Sequence, residues 1–229
     1  MYKTKGFILG ATLLALVLIP GLACGAEPAT PPSTTPQLPE ETPSTDGLAT
    51  GLEIPANYTT YTDQSKLFSI SYPADWETAQ SLMPELNTKT KEYINKLKSG
   101  VPVEQASTIF FAGRRTATVY QPALSITVEP MLEGITTLDQ MVESEVRGVK
   151  QVILDYQELS MVKTTIDGRQ ATIWDYEGTM AGQSKLHFLT MITLVDKTTW
   201  VVGCAAPIDD FADWENDFNI IIRSLRISK

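Results

Sequence analysis

Histidine and cysteine are almost missing from these 229 residues: His187 stands alone, and the only cysteines are Cys24 and Cys204. One histidine excludes a multi-histidine metal site and leaves any histidine-based dyad or triad resting on His187. That residue lies in Leu186-His187-Phe188 with no serine or cysteine motif beside it, so we read it as structural. A Gly-x-Ser-x-Gly elbow, a phosphate-binding glycine loop and a Cys-x-x-Cys pair are also absent. Basic residues are scarce, 18 against 27 acidic ones, for a net charge of −9. That balance argues against nucleic acid and against electrostatic adhesion to anionic lipid, both of which need a basic surface. No catalytic residue, cofactor or metal ion is expected, and the chain does not read as an enzyme.

What is present begins with Lys3 and Lys5, an apolar run from Gly6 to Ile19, and then Pro20-Gly21-Leu22-Ala23-Cys24. A positive start, an apolar middle and small residues at the end form a secretory signal. The run is just long enough to be weighed as a membrane-spanning helix, but Pro20-Gly21 breaks its outer end and no charged stop follows. Leu22-Ala23-Cys24 resembles the bacterial lipobox, with Gly21 where leucine is usual. Gly21 and Ala23 also satisfy ordinary signal peptidase, which would cut the same bond. Residues 1 to 23 are therefore expected to be a lipoprotein signal peptide, and Cys24 to carry a diacylglyceryl anchor with acyl chains such as palmitate. Its removal takes away two lysines and no acids, moving the charge from −9 to −11. Membrane attachment must then come from the lipid, on the extracytoplasmic face of the cell membrane or outer membrane. With Cys24 modified, Cys204 has no partner for a disulfide and is expected as a small buried hydrophobe.

Gly25 to Thr50 holds six prolines, eight Ser/Thr, four acids, no Lys or Arg and no aromatic residue. Such a stretch cannot bury enough apolar surface to offset its ordering entropy, so residues 24 to 50 are expected to be a disordered tether. In the polyproline conformation, at ~3.1 Å per residue, the segment reaches about 80 Å.

Residues 51 to 229 are of ordinary size for one domain. Period-two patterns mark strands at Phe68 to Tyr72 and Leu124 to Val128, and a short strand is expected at Ser107 to Ala112. Pro84 to Lys98 reads as a helix with Leu86, Tyr93 and Leu97 on one side. Leu138, Met141, Val142, Val149 and Ile153 follow helical spacing, interrupted by one acid, Glu145, and predict an amphipathic helix over Thr137 to Gln151. Asp167-Gly168 is a hairpin signal between Leu159–Ile166 and Arg169–Glu177. A second turn at Asp196–Thr199 separates Lys185–Val195, apolar on both faces and so expected to be central, from Trp200–Ala206. A last helix should start near Pro207 with the stripe Phe211, Trp214, Phe218, Ile221 and Ile222, and Ser224 to Ser228 should close the chain as a strand.

Three stretches, Leu67 to Trp76, Ile166 to Ala171 and Trp200 to Ile227, together resemble the PsbP-like fold, which includes DcrB-like bacterial lipoproteins. The matching positions are Tyr72, Pro73 and Trp76, then Gly168, Arg169 and Ala171, then Pro207, Phe211 and Ser224. The resemblance implies an α+β domain, an antiparallel sheet with helices packed over it. It implies only loosely what such a domain does, since members include accessory subunits that dock on larger complexes and envelope lipoproteins of unsettled role. The order of elements points independently to α+β layering.

Asp209, Asp210, Asp213, Glu215 and Asp217 lack the alternation of a calcium loop and read as a solvated helix face. Arg114-Arg115 reads as a turn with two solvated arginines, although it has the chemistry to receive a carboxylate or phosphate. Trp76, Trp200 and Trp214 read as core, leaving Trp174 and Tyr176 as the ambiguous pair. The expected function is a non-catalytic envelope lipoprotein docking on a membrane or surface protein complex. A carrier of a small apolar ligand such as lipid is the alternative, and a hydrolase the third reading.

Overall fold

The computed structural model describes residues 52–79, 107–115, 120–131, 134–180 and 184–228. The signal, Cys24, the tether and the expected helix at Pro84 to Lys98 lie outside them. The chain is α+β, with ten strands and two helices among the described residues. In order they are β1 (Tyr58–Thr62), β2 (Phe68–Pro73), β3 (Glu77–Thr78), β4 (Ser107–Arg115), β5 (Tyr120–Pro130), α1 (Leu138–Val152) and β6 (Ile153–Ile166). There follow β7 (Arg169–Met180), β8 (Lys185–Val195), β9 (Thr198–Pro207), α2 (Phe211–Ser224) and β10 (Arg226–Ile227).

Where one sheet was expected there are two, both antiparallel: β1-β2-β10, and a larger one ordered β3-β4-β5-β9-β8-β7-β6. The division follows from the C-terminal segment. Ser224 ends α2, and Arg226 and Ile227 pair with Ser69 and Phe68 on β2, so the last strand joins the small sheet. The centre of the large sheet is β9, with β8 beside it, and the paired residues of these two strands are buried on both faces over most of their length.

One face of the large sheet carries Trp174, Tyr176, Phe188 and Ile192 and packs under Val142, Val149 and Val152 of α1. On the opposite face, Leu124, Met191, Val202 and Cys204 meet Phe218, Ile221 and Ile222 of α2 and Phe68 and Ile70 of β2. Helix α1 starts where Thr137 accepts a bond from the Gln140 N–H at 3.2 Å, an N-cap that satisfies one of the donors a helix start leaves open. Helix α2 begins four residues later than expected, because Pro207 still belongs to β9 and 208–210 form a turn. Asp209 and Asp210 thus precede the helix, and Asp213 alone occupies its first turn.

The resemblance motifs turn out to be joints of this architecture. Asp167 and Gly168 have φ of 51° and 73°, the two left-handed residues of a tight hairpin. The Asp167 carboxylate pairs with Arg169 and accepts the Ile227 N–H at 3.0 Å, while Arg169 donates to the Ile227 carbonyl at 2.9 Å. Hairpin β6–β7 is thereby fastened to β10. Ser224 accepts from the Ser71 N–H at 2.9 Å and donates to the Ile221 carbonyl at 2.7 Å, tying α2 to β2.

Candidate functional site

Most residues singled out from the sequence are absorbed by packing. Cys204 is buried in the sheet, and burial pushes its thiol up, away from the reactive thiolate. Trp174 and Tyr176 stack on one another at 4.1 Å between centroids, with Tyr176 also on Phe188 at 5.0 Å. Both are fully buried, so neither ring offers a face to a ligand. Trp214 departs from expectation: it is half-buried at the edge of the core, against Trp76 at 6.0 Å and under the Arg114 guanidinium at 5.9 Å. Arg114-Arg115 is likewise no turn. It ends β4, and Arg115 lies 3.5 Å from Glu77 on β3.

His187 is held rather than poised. Its ring stacks on Phe211 at 3.4 Å, its Nε2 lies 2.5 Å from Asp175 Oδ1, and its Nδ1 lies 3.8 Å from Glu177 Oε1. Lys185 takes the other Glu177 oxygen at 2.6 Å. Of the acidic group, Asp213 and Glu215 are exposed and Asp217 accepts the Tyr58 hydroxyl at 2.6 Å. Among the described residues no three His, Cys, Asp or Glu are grouped to hold a metal ion.

Two features escaped sequence reading. The first is polar and internal. Glu129 on β5 and Glu145 on α1 are buried at 1% and 2% exposure, facing one another between sheet and helix. On the same sheet face the side-chain oxygens of Ser125, Thr172 and Thr199 are buried with no hydrogen-bond partner among the described residues. Thr199 stands directly across from Glu129 in the β5–β9 register. Two ionised carboxylates cannot satisfy each other, since neither has a donor; a proton on Glu145 makes it the donor and Glu129 the acceptor. Burial, the Glu129 charge and that hydrogen bond all push Glu145 well up, and burial raises Glu129, offset in part by the bond it accepts. The clue in the sequence was Glu145 at an apolar stripe position.

The second feature is external. Among the described residues strand β6 pairs only with β7, so one whole edge of its 14 residues has no partner strand there. Residues 157–163 are exposed without interruption, on both faces. Leu154, Leu159, Met161 and Val162 are exposed at 55, 41, 40 and 54%. These are four of the six large apolar side chains exposed among the described residues, the others being Ile54 and Leu67. The opposite edge of this sheet, β3, is only two residues long. Folded proteins ordinarily shorten, cover or charge their edges, and β3 is shortened whereas β6 is not.

No protein-family model matches the sequence, and no curated protein does. Solved structures of similar shape include a cyanobacterial PsbP, CyanoP of Synechocystis, at 14% identity and TM-score 0.49, covering 80% of this chain and 98% of that one. LpqN of Mycobacterium tuberculosis, described as involved in cell envelope biogenesis, is 10% identical at TM-score 0.47, covering 75% and 91%. A Pseudomonas aeruginosa protein of unknown function is 10% identical at TM-score 0.44, covering 76% and 99%.

Proposed function

We propose that the chain is a non-catalytic cell-envelope lipoprotein of the PsbP-like, DcrB-like kind, anchored through Cys24, whose domain docks on a protein complex at the membrane surface. The observation that carries this reading is β6: a long strand with one edge unpaired among the described residues and with apolar side chains exposed on both faces. A free strand edge offers a row of backbone donors and acceptors, and side chains on alternate faces supply selectivity once a second strand is added. The tether expected between lipid and domain lets such an edge search the membrane surface, and anchoring raises its effective concentration near partners in the same membrane.

The test is site-specific photo-crosslinking in cells, with the photoreactive residue at position 159 or 162 on β6 and, as controls, at exposed positions 60 and 212 on β1 and α2. Discrete crosslinked protein bands from β6 alone are expected. Crosslinks of equal yield from all four positions would remove β6 as the docking edge. Turnover by the purified chain in an esterase, peptidase or glycosidase screen, abolished by one side-chain change, would overturn the non-catalytic reading.

A further inference from the structure

The free edge of β6 is complementary to itself. Directly opposed residues of an antiparallel pair share a face, so the β6–β7 register assigns every β6 side chain to a side of the sheet. Glu158, Met161 and Lys163 stand opposite Tyr176, Trp174 and Thr172, and therefore lie on the face covered by α1. Gln157, Ser160, Val162 and Thr164 stand opposite Glu177, Asp175, Ile173 and Ala171, on the other face. Between Glu158 and Ser160 the register shifts by one, so Leu159 is the extra residue of a bulge.

Consider a second copy laid antiparallel along this edge about a twofold axis at Met161. Met161 then meets Met161, Val162 meets Ser160, and, with Leu159 again bulged out, Lys163 meets Glu158 and Thr164 meets Gln157. Each pair joins residues of one face, as the pleat demands, and the twofold makes every pair off the axis occur twice. The only two charges between residues 157 and 164 are thus brought into opposition. Without the bulge the face assignments of Glu158 and Lys163 would differ, and no twofold register could join them.

Resting on the reading of β6 as a docking edge, we infer that the subunit this edge meets in that complex is a second copy of this chain, joined by antiparallel β6–β6 pairing centred on Met161 into one continuous sheet. Lysine and a bulge on an edge strand ordinarily repel added strands. Here the same two devices admit one strand, because only a partner with an acid at the matching place and a matching bulge satisfies them. Lys163 already lies 2.8 Å from Asp139 of α1, with both side chains largely exposed. That surface pair is weakly held and leaves other lysine donors for Glu158 of the second copy. Burying Met161 and Val162 from both copies removes apolar side chains that the single chain leaves in water.

The experiment uses the full-length chain in its own membranes, with Met161→Cys as the reporter, since Met161 is the one position that meets itself. Mild oxidation is expected to give a disulfide-linked dimer from Met161→Cys, with about tenfold less from Leu154→Cys or Thr165→Cys, which the register keeps from their own copies. In the Met161→Cys background, Glu158→Lys and Lys163→Glu should each lower the dimer yield about tenfold, from two like-charge pairs per dimer, and the double exchange should restore it. An Asp139→Asn chain should crosslink as before, separating the intermolecular pair from the surface one. Equal yields from positions 154, 161 and 165, or a double exchange that stays low while its fold is intact by circular dichroism, would overturn the self-pairing. If photo-crosslinks from β6 reach other envelope proteins while Met161→Cys gives no dimer, the docking edge stands and its occupant is not this chain.

Discussion

Glu145 shows how a single residue can set the pH behaviour of the fold. Burial raises it and Glu129 above their unfolded values, so the folded chain keeps a proton that the unfolded chain gives up. The contribution of the pair is fully present below the unfolded carboxyl range, at about 4.3, and is lost as pH rises through the higher folded values. Glu145→Gln, which stays neutral and keeps a donor toward Glu129, should match wild type near pH 4.5 and exceed it increasingly toward pH 8, by ~1–3 kcal/mol. Thermal melts of both chains at those two pH values check this, and a difference that does not grow with pH would mean the pair is not held in one shared site. Trp214 illustrates the opposite case. Its place on the α2 stripe argued for full burial, yet it stops at the rim between Trp76 and Arg114. Trp214→Ala should then cost about 1–3 kcal/mol in urea unfolding, less than the ~3–5 kcal/mol of a fully buried tryptophan.

Among the elements, the β6–β7 hairpin was legible where its turn chemistry is strict and illegible where it faces water. Asp167-Gly168 demanded two left-handed residues and obtained them, and Arg169 opens β7 as expected. The start of β6 was missed by six residues, because a strand exposed on both sides has no alternation to read. Glu129, too, reads in sequence as the polar half of an alternating strand, although the polar half of β5 is buried under other elements. The clamp between this hairpin and β10 gives an element-scale test. Arg169→Ala removes the pair with Asp167 and the bond to the Ile227 carbonyl, and should cost about 1.5–3 kcal/mol in denaturant unfolding. Arg169→Lys should recover only part of it, because an ammonium cannot hold both acceptors in the planar fork of a guanidinium. Faster amide exchange at Ile227 in both variants would place the loss at β10, and exchange unchanged from wild type would show that the clamp is not what holds that strand.

At the scale of the whole molecule, the proposed anchor and the proposed docking edge fall in different stretches of chain, Cys24 and β6. A lipid on Cys24, as proposed, would supply the affinity for the membrane that a chain with 27 acidic and 18 basic residues lacks. Cys24→Ser should move the protein from the membrane fraction to the soluble fraction without changing its melting temperature, since neither core cluster of the described residues includes Cys24. Mass spectrometry of the wild-type N-terminus should show the diacylglyceryl group; a soluble, unmodified wild type would remove the anchor and, with it, the advantage the tether gives to β6.

The sequence by itself determined the α+β class, most strand positions and helix α1, because alternation, helical spacing and turn residues are local and each follows from backbone sterics over a few residues. It also carried the family resemblance, which rests on joints such as Asp167–Arg169 and Ser224 whose neighbours in sequence are fixed. Only the tertiary structure decided that there are two sheets, that β9 lies beside the central strand β8 at the middle of the larger one, that Glu129 faces Glu145, and that β6 has no second neighbour among the described residues. Each of those depends on which distant segments pair: Ile227 with Phe68, or β5 with α1 across the sheet. Such pairings are set by closing long loops around one core, and no short window of residues contains them.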